Sequence, residues 1–404
     1  MASVAVIGGG VIGTVAALRL RQRGLAVTLI DPDPDWRGAS RGNAGHIAAD
    51  EVHPLASTAT LRTLPRNLFL SGGPVGLPLR DLPAWLPFGL RLIGATRRYE
   101  AGHRALASLQ AEAMPAWRRL VADLGAPDLL RDVGHFMVWD TSEGAAAGKA
   151  EMAKTGAGNT VWRDADAEEL ALLSRLSKTP GGAVRFSGTG QIADLDRLAE
   201  TLVARFEAAG GVRMRGRARL DPRGVSLDTG EAIAADLALV TAGPASGALL
   251  KPLGHRAPLI AERGYHIETD GGDWPADMPS IHFVDRAMFV TRFARRLRAT
   301  SFVEFGRAAS PPDPRKWRRL RRHAEELGLP FAEPVSEWMG ARPTLPDYLP
   351  AIGRSSRHPN LLYAFGHQHL GLTLAAATGE AVAALATGET PLVDLAPFDL
   401  SRFG

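Results

Sequence analysis

The sequence predicts an α/β protein in which a discontinuous domain around a parallel sheet is interrupted by an α+β domain built on an antiparallel sheet. Three observations predict it. An apolar run, Val4-Ala5-Val6-Ile7, leads directly into Gly8-Gly9-Gly10-Val11-Ile12-Gly13 and a helical stretch. A second apolar run ends at Asp31, 18 residues beyond Gly13. Far downstream, residues 259–305 alternate apolar and polar side chains between Gly, Asp and Pro turns, the pattern of an antiparallel sheet. Strand, glycine turn, helix, strand and acid in this register form a Rossmann-like dinucleotide-binding fingerprint.

Each element has a physical reason. Gly8 allows the tight strand-to-helix turn, Gly10 lets the backbone approach a pyrophosphate, and Gly13 lets the helix over 11–23 pack closely on the strand. Val11 and Ile12 open that helix, whose free N–H groups and dipole stabilise negative charge without Lys or Arg. Asp31 closes the strand over 27–30 at the spacing of a ribose ligand, and its charge disfavours a 2′-phosphate. A Pro/Asp/Gly-rich loop follows. Ser40-Arg41-Gly42-Asn43-Ala44-Gly45-His46 is then a small-residue stretch suited to backbone lying against a ligand.

Residues 77–126 read as helices, with Ala and Leu periodicity over 103–124, followed by a strand at 135–139 and a helix near 165–176. A helix over 196–209 ends in Gly210-Gly211. Strands at 212–217, 224–227 and 237–240 follow, the last running into Thr241-Ala242-Gly243, and look like the completion of the dinucleotide sheet. A helix near 314–327, a strand at 361–365, a turn at Gly366-His367 and a helix over 373–386 end the chain. Segments 1–76, 183–256 and 336–404 are therefore assigned to the dinucleotide-binding domain, and 77–182 and 257–335 to the second.

Composition narrows the class. The 404 residues exceed what one core usually holds, and the absence of cysteine excludes disulfides, thiolate metal sites and a cysteinyl-flavin bond. No His/Asp/Glu cluster has metal-ligand spacing, so no metal is expected. The first strand begins near Val4 without a preceding signal or transit pattern, from which a cytoplasmic address is expected. No uninterrupted apolar run is long enough to span a bilayer; the segment from Leu82 through Ile93, broken by prolines and Arg91, is at best surface-seeking. Net charge is +4. The arginine clusters at 292–298 and 315–322 read as solvated faces, with contact to anionic lipid as the alternative, and no module for nucleic acid accompanies them.

Three segments carry a family resemblance: Gly8 to Gly13 with Asp31; the loop from Ser40 to His46; and Trp338-x-Gly340-x-Arg342-Pro343-x-x-Pro346-Asp347-x-x-Pro350-x-Ile352-Gly353 with Gly366-His367-x-x-x-Gly371-x-Thr373. The chain resembles the D-amino-acid oxidase and dehydrogenase family of FAD-dependent amine oxidoreductases, most of all its bacterial D-amino-acid dehydrogenases. The resemblance implies FAD, held by the residues named so far together with Thr241, Ala242, Gly243, Gly340, Gly366, Gly371, Leu372 and Thr373. The helix after Gly371 would face the pyrimidine end of the flavin and stabilise its anionic reduced form.

The implied chemistry is hydride transfer from Cα of a D-amino acid to flavin N5, giving an imine that water converts to a 2-oxo acid and ammonia. Arg342 is the expected carboxylate clamp, because a guanidinium grips a carboxylate bidentately. Tyr265 sits where such proteins carry an aromatic over the substrate, with Arg263 as a second carboxylate contact or a surface charge. His46 is expected to touch substrate or flavin, covalent attachment being considered, and His367 and His369 flank the C-terminal turn, where either could approach the flavin or substrate. Alternatives are oxidation of a cyclic imino acid such as D-proline or hydroxy-D-proline, oxidation of a hydroxy acid, and a flavin-binding subunit of a hetero-oligomeric amine dehydrogenase. The expected electron acceptor is a quinone or another carrier, reached through a peripheral contact with the inner membrane by residues 77–93.

Overall fold

The computed structural model describes residues 2–33, 36 and 38–404, so part of the loop expected after Asp31 lies outside the described residues. Strand β1 (Ser3–Ile7) and strand β2 (Ala26–Asp31) pair in parallel, joined by helix α1 (Val11–Gln22). They sit inside a six-stranded sheet ordered Val212–Arg215, β2, β1, Leu237–Val240, Leu361–Phe365, Ala351–Arg354. Five of these strands are parallel and the last is antiparallel. Near-continuous apolar strands require cover on both faces. On one face α1 packs against helix Gly371–Thr387, where a Cβ on Gly379 would lie 2.7 Å from Val15 Cγ1, so glycine permits the close crossing. On the other, a small antiparallel sheet (Ala218–Asp221, Gly224–Leu227, Ala232–Ile233) buries Leu220, Val225 and Leu227 against Ala5, Ile7 and Val240. Of the strands expected to complete the main sheet, only the first and last enter it; the meander between them is this covering layer.

The second sheet is ordered Ser336–Thr344, Ile260–Asp270, Arg296–Gly306, Met288–Arg292, Ser280–Phe283, His135–Trp139, Gly182–Ser187, Val161–Asp164. It is antiparallel except that His135–Trp139 runs parallel to Ser280–Phe283 and the short strand Val75–Gly76 runs parallel beside Arg296–Gly306. Helix Pro314–Glu326 covers one face, burying Trp317, Leu320 and Ala324 against Tyr265 and Ile267. Three segment boundaries therefore move. Strand Gly182–Ser187, which straddles the boundary drawn at 182, and strand Ser336–Thr344, assigned above to the dinucleotide domain, hydrogen-bond within the second sheet, as does Val75–Gly76.

Helix Gly371–Thr387, with the turn before it, forms a stretch apolar and long enough to cross a membrane, but 72% of it is buried inside the protein. Its apolarity serves the core. A three-stranded patch formed by His46–Ile47, Gly190–Ile192 and Leu130–Arg131 carries the loop that ends at His46.

A Cβ on Gly13 would lie 1.8 Å from the carbonyl oxygen of Gly8, a backbone atom that cannot rotate away. Gly13→Ala is expected to destabilise the protein by about 1–3 kcal/mol through forced separation of α1 from the turn, and to loosen the flavin. Thermal denaturation with flavin absorbance of the desalted protein measures both.

Candidate active site

A cavity of about 1240 Å³ lies between the two sheets. It exceeds the roughly 300–1,000 Å³ of ordinary small-molecule pockets and suits an extended dinucleotide with a substrate. Gly8, Gly10, Val11, Ile12 and Asp31 line one end. Gly8 has φ +111°, and a Cβ there would lie 2.5 Å from the Thr241 carbonyl oxygen. Asp31 accepts hydrogen bonds from the N–H groups of Gly9 (2.6 Å) and Asp33 (2.7 Å), which fixes its carboxylate at the cavity wall. The Val11 N–H donates to Ser40 Oγ at 3.0 Å, so the loop caps α1. No acidic residue occupies the first turn of α1, leaving its positive end for an anion. Thr241, Ala242 and Gly243 form the adjoining wall, and the Thr241 hydroxyl donates to the carbonyls of Ile7 and Gly8.

The loop after Ser40 crosses the middle of the cavity, lining it with Gly42, Asn43, Ala44 and His46. Asn43 Oδ1 accepts from the Gly45 N–H at 2.8 Å. The buried guanidinium of Arg298 donates to the carbonyl oxygens of Arg41 (3.0 Å) and Asn43, and is itself held by Glu268 at 2.7 Å. Arg298 and Arg292, read from sequence as parts of a solvated face, are both buried. Two expected cofactor contacts turn away. Arg41 pairs with Asp196 at 3.2 Å on the outside, and Gly45 packs on Phe293, where a Cβ would come within 2.5 Å. Gly13 likewise serves the packing of α1 instead of lining the cavity.

The far end is closed by the start of helix Gly371–Thr387, with Gly371, Leu372 and Thr373 at the wall. Thr373 Oγ1 accepts from the Ala48 N–H at 3.0 Å, and Trp117 Nε1 donates to the carbonyls of Leu372 (3.0 Å) and Thr373 (3.1 Å). Gly366 (φ +81°) makes the turn but packs on Leu345, outside the lining. His367 lines the cavity while its Nε2 pairs with Thr378 Oγ1 at 3.0 Å, and burial pushes its pKa down to about 3, so it is a neutral, engaged imidazole.

Arg342 reaches this end of the cavity from strand Ser336–Thr344. Its Nη1 is 3.3 Å from the buried Glu262 carboxylate and 3.3 Å from the Phe302 carbonyl. A Cβ on Gly264 would lie 2.1 Å from Nη2, so that glycine makes room for the guanidinium. Gly340 and Gly42 do the same for the indole of Trp338, another lining residue, whose ring stacks on His266 at 4.9 Å. Glu51 and His369 line the cavity as a hydrogen-bonded ion pair. Burial disfavours charge on both, but their mutual attraction outweighs it, lowering the Glu51 pKa and raising that of His369. His46 stacks on Phe289 at 5.2 Å and meets His135 edge-on at 4.6 Å.

Tyr265 and Arg263 do not join this group. Strand register pairs Arg342 with Glu262, and side chains alternate faces along a strand, so residues 262 and 264 face the cavity while 263 and 265 face helix Pro314–Glu326. Arg263 is fully buried against Glu304 and donates to the Ser310 carbonyl at 2.5 Å. The Tyr265 hydroxyl donates to Glu304 at 2.9 Å and accepts from the Asp313 N–H at 3.1 Å. Both are core groups behind the sheet.

Residues 3–385 match the family of FAD-dependent oxidoreductases designated DAO. The chain belongs to this family. It is 32% identical, over 99% of its length and 98% of the relative's, to a D-amino-acid oxidase of Bradyrhizobium diazoefficiens. It is 28% identical, over 99% of its length and all of the relative's, to D-amino acid dehydrogenase 2 of Ralstonia nicotianae. Among solved structures, glycine oxidase from Geobacillus kaustophilus shares the fold with a TM-score of 0.74 at 23% identity, covering 100% of this chain and 99% of that one. L-proline dehydrogenase from P. horikoshii does so with a TM-score of 0.73 at 16% identity, covering 100% and 97%.

FAD fits this oxidoreductase on its own geometry. Gly8 and Gly10 leave a cradle that side chains would fill, the first turn of α1 carries no acid, and Asp31 lines the same end of the cavity, where the fingerprint expects the ribose. Sequence reasoning placed His369 beside the C-terminal turn but missed its partner Glu51, as it missed Trp338, Phe289 and Arg298. Trp338 alone had a signal, standing two residues before Gly340 in the quoted motif.

Two outcomes follow from these contacts. Arg298→Ala strips a charged partner from buried Glu268 and frees the loop carbonyls. A loss of about 3 kcal/mol is expected in chemical denaturation, with weaker flavin retention. The His369 imidazole is expected to titrate above the free value of about 6.5 in the wild type and below it in Glu51→Gln, where burial and the nearby Arg342 charge outweigh the remaining attraction of Glu262. Imidazole NMR reads both values.

Proposed function

We propose that this flavoenzyme oxidises a D-amino acid with a compact, uncharged side chain to its imine, which water converts to a 2-oxo acid and ammonia. The observation that carries the reading is Arg342, a guanidinium at the cavity wall with Gly264 cleared beside it. The D-amino-acid activities of the relatives from Bradyrhizobium and Ralstonia support the choice of substrate class.

Arg342 holds the substrate carboxylate, with Glu262 and the Phe302 carbonyl fixing the guanidinium from behind. The Glu51 and His369 pair faces the amine, and His369, neutral above its raised pKa, takes the ammonium proton beside the Glu51 carboxylate, so that the nitrogen lone pair is free as the Cα–H bond breaks. When bound, FAD supplies the acceptor for the departing hydride. Trp338 and Phe289 wall the site and exclude water. His46 contacts the bound ligands without a covalent link.

The electron acceptor downstream is a membrane quinone. Helix Leu82–Ala95 exposes Leu82, Leu86, Leu90 and Ile93 along one face, with Leu90 64% exposed, and exposed Arg91, Arg97 and Arg98 stand beside them. An apolar stripe with flanking cations matches the interface of an anionic bilayer.

Anaerobic mixing with D- and L-amino acids, D-proline, sarcosine and 2-hydroxy acids is expected to bleach the flavin rapidly with neutral D-amino acids alone; reduction confined to another class overturns the reading. Arg342→Ala is expected to lower kcat/KM roughly 10²- to 10³-fold, the loss of about 3–4 kcal/mol of transition-state binding, at unchanged flavin content. Co-sedimentation with phosphatidylglycerol vesicles is expected for the wild type and lost in Leu86→Ser/Leu90→Ser.

A further inference from the structure

Beside the cavity three side chains converge, of which His46 lines the cavity and Asp50 and His135 have no part in the proposed oxidation. His46 begins the short strand His46–Ile47, Asp50 follows four residues later, and His135 begins strand His135–Trp139 of the second sheet. One donor atom from each lies within 4.8 Å of the others. His46 Nε2 stands 3.8 Å from Asp50 Oδ1, and His135 Nε2 stands 4.0 Å from Asp50 Oδ2. Both separations are too long for hydrogen bonds.

Both histidines are buried and Asp50 is largely so, yet both His46 nitrogens, Asp50 Oδ1 and His135 Nε2 are buried atoms without a hydrogen-bond partner. Buried polar atoms of native proteins are nearly always satisfied, so three unpartnered donor atoms, one from each residue and all within 4.8 Å, mark something that belongs between them. The rings are also held in place. Thr189 Oγ1 engages His135 Nδ1 at 3.0 Å, the outer contact that orients a metal-binding imidazole, and His135 stacks on Phe186 at 4.5 Å. His46 is fixed by its stack on Phe289.

We propose that His46, Asp50 and His135 bind a divalent transition-metal ion of the zinc class, with the remaining coordination position left to water. Two imidazoles and a carboxylate are a donor set for such ions, and three protein ligands leave a position open. A tetrahedral ion with bonds of about 2.0–2.1 Å sets its ligand atoms about 3.4 Å apart, so binding draws each donor inward by less than about 1 Å. Sequence spacing could not reveal the site. His46 and Asp50 are a common i,i+4 pair, and the third ligand lies on a different sheet.

The test uses the untagged, flavin-loaded protein, stripped with a chelator and titrated with Zn²⁺ alone, bound metal being measured by atomic emission. No substrate is present, so the result is independent of the proposed oxidation. One equivalent per chain is expected, with affinity falling about tenfold or more in Asp50→Asn and in His135→Gln, as even outer-shell changes around metals produce. His53→Gln, which removes half of the stacked His53 and His103 pair elsewhere on the protein, is expected to keep the full equivalent. No stoichiometric uptake by the wild type, or uptake that survives both ligand substitutions, overturns the proposal. Should the ligand variants fail to fold, zinc-edge X-ray absorption of the His53→Gln protein decides: scattering from two imidazole rings supports the site, and a sphere without them refutes it.

Discussion

The buried guanidinium of Arg298 is the contact on which the geometry of the cavity depends. It belongs to the second sheet, yet its hydrogen bonds go to the backbone carbonyls of Arg41 and Asn43, in the loop that runs from the dinucleotide fingerprint past the ligand. A guanidinium can satisfy a carboxylate and two carbonyls at once because its five donors lie in one rigid plane. Glu268 keeps the charge compensated inside the protein. Ser40 capping α1, Asn43 closing on Gly45 and His46 meeting the second sheet all follow from a loop held in that position.

The cavity is polarised by its backbone at one end and by its side chains at the other. Around the glycine turn, the N–H groups and dipole of α1 offer positive potential, with Asp31 as the charged wall residue of the fingerprint. At the opposite end stand Arg342, the Glu51 and His369 pair, and His46, each tied to a different strand or loop. The dipole of helix Gly371–Thr387 points into that end, and Trp117 fixes its first carbonyls from a helix of the intervening segment. The arrangement places a cation, an ion pair and a helix N-terminus around one small space between two cores.

Much of this was legible in the chain. The glycine turn, α1, Asp31 and the strands at 135–139, 224–227, 237–240 and 361–365 follow from apolar runs bounded by turn residues, a local signal that backbone sterics translate directly. Arg342 and its neighbouring glycines stood out because guanidinium chemistry and a motif pointed to the same place. Tyr265 and Arg263 did not resolve, because the face a strand residue occupies depends on register with its partner, and a shift of one residue reverses it. The domain boundaries erred for the same reason: strands Gly182–Ser187 and Ser336–Thr344 look alike in sequence whichever sheet they join.

The sequence by itself determined the cofactor half of the molecule, since a dinucleotide turn is built from contiguous residues whose φ angles, missing Cβ atoms and helix dipole are local properties. Tertiary structure alone decided the reactive half. The pairing of Glu51 with His369, the burial of Arg298 and the meeting of His46, Asp50 and His135 join residues tens to hundreds of positions apart. Their charges and protonation are set by burial and by each other, and neither quantity exists until the two sheets pack together.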